Sequence, residues 1–93
     1  MIVLPEATLA WALEDPAELT IESLAPVRDV ETKIDILLFG SGRSLAPVEE
    51  HLRSALREIG IVIEPMDTGA ACRTYSVLAA EERRVAAALI AID

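Results

Sequence analysis

Hydrophobic positions fall in short continuous runs separated by stretches of helical spacing, and that alternation predicts the elements of the chain. Ile2-Val3-Leu4 is a β-branched apolar run closed by Pro5 and reads as a strand. Trp11 and Leu13 are expected to fold back on the core. Asp15-Pro16 opens a turn, because proline fixes its own φ and drives the residue before it out of the helical region. Thr20 precedes Ile21 and Leu24, an apolar pair at helical spacing, which predicts one or two helical turns capped by the Thr20 hydroxyl and ending near Pro26.

Ile34 to Phe39 is apolar apart from Asp35, the pattern of a strand covered on both faces, and Gly40-Ser41-Gly42 stops it. Val48, Leu52, Ala55, Leu56 and Ile59 then line one face of an α-helix, with Pro47 at its first position and Gly60 as the left-handed residue after its last turn. Glu49 and Arg53 stand in the order that adds about 0.3 kcal/mol on a wet helix face, and His51 falls on the solvated side. Ile61-Val62-Ile63 opens a strand running to Met66. A second helix follows to about Ala80, with Asp67 or Thr68 as N-cap and Ala71, Tyr75, Leu78 and Ala79 on its inner face. Glu81 to Arg84 is a charged turn, and Val85 to Ile92, apolar throughout, predicts a buried strand rather than an edge.

From Ile34 onward the order strand, helix, strand, helix, strand predicts an α/β fold, a three-layer sandwich with right-handed crossovers. The 93 residues have room for one core and one domain.

Composition narrows the function classes. Hydrophobic residues make up 53% of the chain and its mean hydropathy is +0.41. The longest apolar runs nevertheless fall far short of the roughly 20 residues of a spanning helix, so no membrane insertion is expected. The first residues carry no basic segment and Glu6 interrupts them, so neither a signal nor a transit peptide is expected, and the expected location is cytoplasmic. Sixteen acids against eight bases give a net charge of -8, which repels phosphate backbones and argues against nucleic acid. One cysteine cannot form an internal disulfide, and with one histidine it cannot make a structural zinc site, so no metal and no cofactor is expected. Trp11, Phe39 and Tyr75 are the only aromatics, too few for platforms on which bases or sugars stack.

Open α/β sheets bind ligands beyond the carboxyl ends of their parallel strands. The corresponding loops are Gly40 to Ala46 and Asp67 to Arg73. If their strands are neighbours, Ser41, Arg43, Ser44, Asp67, Thr68, Cys72 and Arg73 face one rim. Each also has a plainer reading. Gly40-Ser41-Gly42 lacks the third glycine of a dinucleotide turn, no Gly-Lys-Ser/Thr follows, and the glycines are expected to supply unusual φ values at a strand end. Cys72 lies near a helix start, which favours an anionic sulfur. Arg73, however, points about 100° away around the helix, and a lone cysteine is often simply buried. Asp67 and Thr68 are candidate acid/base groups or a helix cap. Arg73 and Tyr75 form a candidate anion or partner contact, or stems folded over a strand. Glu14, Asp15, Glu18 and Glu22 are an acidic edge, suited to a basic partner or simply solvated.

Met66-Asp67-Thr68-Gly69-Ala70-Ala71-Cys72-Arg73-Thr74-Tyr75-Ser76-Val77-Leu78, together with Leu37-Leu38-Phe39-Gly40-Ser41-Gly42 and the early Ile2-Val3-Leu4-Pro5 with Trp11, resembles the Mth-domain family of unknown function. The resemblance covers almost the whole chain and implies a three-layer α/β fold with a mixed central β-sheet. It implies no established reaction, so no catalytic residue is carried over. Because the family's best-described member acts as an assembly partner, it implies a non-catalytic protein-interaction or assembly-factor-like module with a protein partner. The alternative is a small-molecule-binding or thiol-dependent enzyme using the rim of the Gly40–Ala46 and Asp67–Arg73 loops, with Cys72 as the reactive group. Members usually carry a glycine-rich β-hairpin ahead of the segment matching Ile2 to Pro5, and Met1 leaves no room for one. The expectation is therefore a sheet edge open to self-association into a homo-oligomer.

Overall fold

A computed structural model of the chain describes residues 1–30 and 33–91. Strands β1 (Ile2–Val3), β2 (Thr8–Leu9), β3 (Ile36–Gly40), β4 (Val62–Met66) and β5 (Val85–Leu89) form one sheet in the order β2-β1-β5-β3-β4. β3 runs parallel to β4 and β5, whereas β1 runs antiparallel to β2 and β5, so the sheet is mixed. The register sets Leu38 opposite Glu64 on one side and Ala87 on the other.

β5 occupies the centre because its sequence permits nothing else. Val85-Ala86-Ala87-Ala88-Leu89 offers no polar side chain to either face, and all five residues are buried. Alternate residues feed two cores: Ala86 and Ala88 join Leu37, Phe39 and Ile63 on one face, while Val85, Ala87 and Leu89 join Leu38 on the other. The alanines are small enough to let both covering layers approach the sheet closely.

The first layer holds α1 (Ala25–Arg28), α2 (Glu50–Glu58) and a 3-10 turn at Glu22–Leu24; it buries Leu24, Val27, Leu52 and Leu56. The second is α3 (Thr68–Ala80), which packs Ala71, Tyr75 and Leu78 on the opposite face. The reversal of direction in the strand order explains the division. The chain steps outward from β3 to β4 and back past β3 to β5, so successive right-handed crossovers must lie on opposite faces.

The segment ahead of α1 is pinned by local bonds. Leu4 N–H donates to the Ala7 carbonyl at 2.7 Å, closing a tight turn around Pro5-Glu6. Asp15 accepts from the Ala17 N–H at 2.9 Å and caps a 3-10 turn at Pro16–Glu18. Thr20 and Ser23 exchange side-chain-to-backbone bonds of 3.0 and 3.1 Å. Trp11 donates its indole N–H to the Ser23 carbonyl at 2.8 Å and meets Phe39 edge-on, with ring centroids 6.4 Å apart. Trp11 and Leu13 thus pack against the core, as their hydrophobicity predicts.

Several local expectations need correction. The helical segment does not stop at Pro26, which sits in the first turn of α1, where a proline has no N–H to lose; the helix runs on to Arg28. α2 begins at Glu50 rather than Pro47: Val48 is buried in the core, and Glu49, the cap residue, has a non-helical ψ of 137°. Ile59 lies past the last turn of α2 and is 47% exposed, and Ala79 likewise leaves the buried face of α3. Arg53 does not pair with Glu49; its guanidinium donates to the Ile63 carbonyl at 3.2 Å. Gly60 does take the left-handed conformation, at φ +84°. The expected end of the last strand at Ile92 lies outside the described residues.

The two edges of the sheet differ. On β4, Val62 N–H donates to the Asp35 carbonyl and the Met66 carbonyl accepts from Ser41 N–H, so these alternate residues bond inward. Ile63 and Pro65 therefore turn their backbone outward. Pro65 has no N–H to offer, and Arg53 covers the Ile63 carbonyl. At the other edge β2 is only two residues long, and both Thr8 and Leu9 are exposed.

Candidate functional site

The carboxyl ends of β3, β4 and β5 converge on one point, the place where an open α/β sheet leaves a crevice for a ligand. Here α3 starts directly from β4 and places Thr68 in that crevice. The Thr68 hydroxyl donates to the Ile90 carbonyl at 2.6 Å and accepts from Gly42 N–H at 2.9 Å, while Thr68 N–H donates to the Gly42 carbonyl at 2.8 Å. One residue thereby ties the loop after β3 and the end of β5 to the first turn of α3.

Gly40 makes this approach possible. A Cβ there would lie 2.9 Å from the Thr68 Cα and 2.9 Å from a Leu89 methyl, so the glycine is required by crowding and not by its backbone angles. Gly42 is the position with the unusual angle, at φ +97°.

Ser41 is also consumed internally. It is buried; its hydroxyl donates to the Ser44 carbonyl at 2.7 Å, also reaches the Met66 carbonyl at 3.2 Å, and accepts from Ala46 N–H at 3.0 Å. Those bonds fold the loop after β3 back on itself. Asp67 is half-buried and accepts from Ala70 N–H at 2.9 Å, satisfying one of the donors that a helix start leaves open.

The remaining candidates lie outside this seam. Arg43, Cys72 and Arg73 are exposed. Arg73 leans over the start of α3: a Cβ on Gly69 would stand 3.5 Å from its guanidinium and 3.3 Å from the Asp67 carboxylate. The structure therefore brings Ser41, Asp67 and Thr68 together with their polar atoms turned to the fold, and it leaves Arg73 and Cys72 among the side chains that α3 offers to solvent.

Three participants in the seam were not among the sequence candidates: Gly40 as a close-approach residue, Gly42 through its backbone N–H and carbonyl, and the Ile90 carbonyl. For Gly40 the available signal is a strand-end glycine in a chain whose next strand ends directly on Asp-Thr-Gly.

The Met1 amine donates to the Leu89 carbonyl at 2.9 Å, and partial burial lowers its pKa below the ordinary value. On the surface, the hydrogen bond between Arg28 and Asp29 holds the Asp29 carboxyl below, and the guanidinium above, their ordinary values. At the opposite end of the sheet Arg84 pairs with Asp35 at 2.9 Å, joining the starts of β5 and β3.

Two adjoining clefts run along α2. One, of about 510 Å3, is lined by Glu49, Glu50, His51, Ser54, Ala55 and Glu58. The second, of about 280 Å3, lies between α2 and the 3-10 segment and shares Glu49, His51 and Ala55 with the first.

Comparison with known proteins adds the following. A family described as "Protein of unknown function (DUF498/DUF598)" matches residues 1–90. The NADH dehydrogenase [ubiquinone] 1 alpha subcomplex assembly factor 3 of Danio rerio is 35% identical over 88 residues, covering 95% of this chain and 51% of that protein. The chain thus spans about half the length of that relative. Among solved structures, a Bartonella henselae chain described as an outer membrane protein is 38% identical with a TM-score of 0.89, covering 99% of this chain and 77% of that one. A Mth938-like domain of Bordetella pertussis is 28% identical with a TM-score of 0.79, covering 96% of this chain and 71% of that one.

Proposed function

The chain belongs to the DUF498/DUF598 family, and from that premise we propose that it is a non-catalytic protein-interaction module that takes part in assembling a larger complex. The observation that carries the reading is the similarity, across 95% of this chain, to a protein named as an assembly factor of NADH dehydrogenase. The seam at the strand ends supports it: Ser41 and Thr68 spend their polar atoms on the fold, and Arg73 and Cys72 remain as surface that a partner can meet. Affinity capture from the native host, with intact and Arg73→Ala protein, tests the proposal. A specific partner whose recovery falls in the variant is the expected result, and no specific partner with either protein sinks it.

The cytoplasm is part of this reading, and cell fractionation tests it. Recovery with the outer membrane, as the description of the Bartonella chain would suggest, overturns that placement. Self-association through a sheet edge belongs on the β2 side, where Thr8 and Leu9 are exposed. Sedimentation of intact protein and a Leu9→Lys variant decides it, because a dimer of that kind dissociates when the edge is charged.

One observation favours a second reading. Cys72 is exposed on α3, beside Arg73, and a thiol-dependent or small-molecule-binding rim would need it accessible. Alkylation of the native protein discriminates: a Cys72 that reacts only in denaturant rules this reading out.

A further inference from the structure

The groove between α2 and the 3-10 segment has an apolar floor and an acidic border. Leu19, Ile21, Leu52 and Ala55 line it, and Glu22 and Glu49 stand at its sides. The neighbouring cleft continues the negative border along α2 through Glu50 and Glu58. Neither cleft is lined by a lysine or an arginine. Of the two arginines of α2, Arg53 is spent on the Ile63 carbonyl, while Arg57 stands 4.0 Å from Glu50 and offsets that part of the border, as Arg28 acts electrostatically on Glu22.

We propose that this groove docks a cationic amphipathic segment of a partner protein, whose apolar side chains cover the floor and whose lysines or arginines meet Glu22 and Glu49. The inference rests on the interaction-module reading and gives such a partner a contact on the sheet face opposite α3 and Arg73. Charge complementarity selects the occupant. An acidic segment would set like charges against the carboxylates on both sides, and a purely apolar one would leave those carboxylates facing hydrocarbon. Lysine and arginine satisfy both demands at once, because their stems cover apolar surface while their heads reach a carboxylate. A net charge of -8 also draws such a segment in from solution.

The test is an amide-shift titration of the isotopically labelled full chain with a short synthetic peptide of leucine and lysine in amphipathic helical repeat. Two control peptides replace lysine by glutamate and leucine by serine. Shifts that saturate and centre on Thr20, Glu22, His51 and Ala55 are expected, with neither control binding. The Glu22→Lys/Glu49→Lys protein should bind at least about tenfold more weakly. Glu22→Gln/Glu49→Gln serves as a second variant, and the amide spectrum of each verifies that it is folded. The proposal is overturned if the peptide does not bind, if the shifts centre elsewhere, or if charge reversal leaves affinity unchanged. The two readings fail separately. A captured native partner that the charge-reversed protein retains overturns the groove and leaves the interaction module standing, whereas absence of any captured partner sinks the module while the peptide titration still decides the groove.

Discussion

Thr68 and Ile90 are joined by a 2.6 Å bond from the threonine hydroxyl to the isoleucine carbonyl, and the same hydroxyl accepts from Gly42. Thr68→Val keeps the shape and removes the bonds, leaving a buried N–H and a buried carbonyl without partners. The expected loss is about 1–3 kcal/mol in urea unfolding. Thr68→Ser keeps the hydroxyl and should lose much less. If valine and serine are equal, the hydroxyl contributes only packing.

Gly40→Ala places a methyl group against the backbone of Thr68, where no side-chain rotation can relieve the contact. A loss of about 1–3 kcal/mol is expected, as for overpacking. Truncating Leu89 as well should not restore stability, because the contacts with Thr68 remain. Full rescue in thermal or urea unfolding would show that the Leu89 methyl, and not the Thr68 backbone, sets the limit.

The outer edge of β4 is protected by Pro65 and by the bond from Arg53 to Ile63. The double variant Pro65→Val/Arg53→Ala restores a donor and uncovers an acceptor on the same edge. Its sedimentation should show concentration-dependent dimers that the parent protein does not form through this edge. If the two proteins sediment alike, the edge has a further guard.

The Met1 amine in the 93-residue chain has a pKa lowered by burial. Its protonated form is disfavoured in the folded state, so between the lowered value and the ordinary one the unfolded chain binds more protons, and the fold is penalised as pH falls through that window. Stability from this group therefore rises as pH climbs through the lowered value toward 8.0. N-terminal acetylation retains an N–H for the Leu89 carbonyl and should abolish that slope. The check is the pH dependence of the urea midpoint, with and without the acetyl group.

The elements bounded by strong local signals were legible in the sequence. Asp67 announced the start of α3, Gly60 the end of α2, and the apolar run from Val85 the central strand. The mixed character of the sheet came from resemblance, since periodicity says nothing of strand direction. What escaped local reading depends on contacts distant in the chain. The bond from Thr68 to Ile90 spans 22 residues and that from Gly42 to Thr68 spans 26, so the hydroxyl looked free until the strands were placed. Val48 and Arg53 departed from helical expectation for the same reason: one is drawn into the core and the other reaches Ile63 on β4.

The central position of β5 has a consequence for how the protein is made. Among the described strands it is made after the others, yet β1 and β3 pair with it and not with each other. Until it emerges, the first strand has only the two-residue β2 beside it, and the sheet is two separate pieces. Joining them sets Ile2 against Ala88 and closes nearly the entire chain into one loop, a step whose entropy cost no shorter contact can replace. A pause in synthesis before Val85 would therefore hold both apolar faces open to whatever lies nearby.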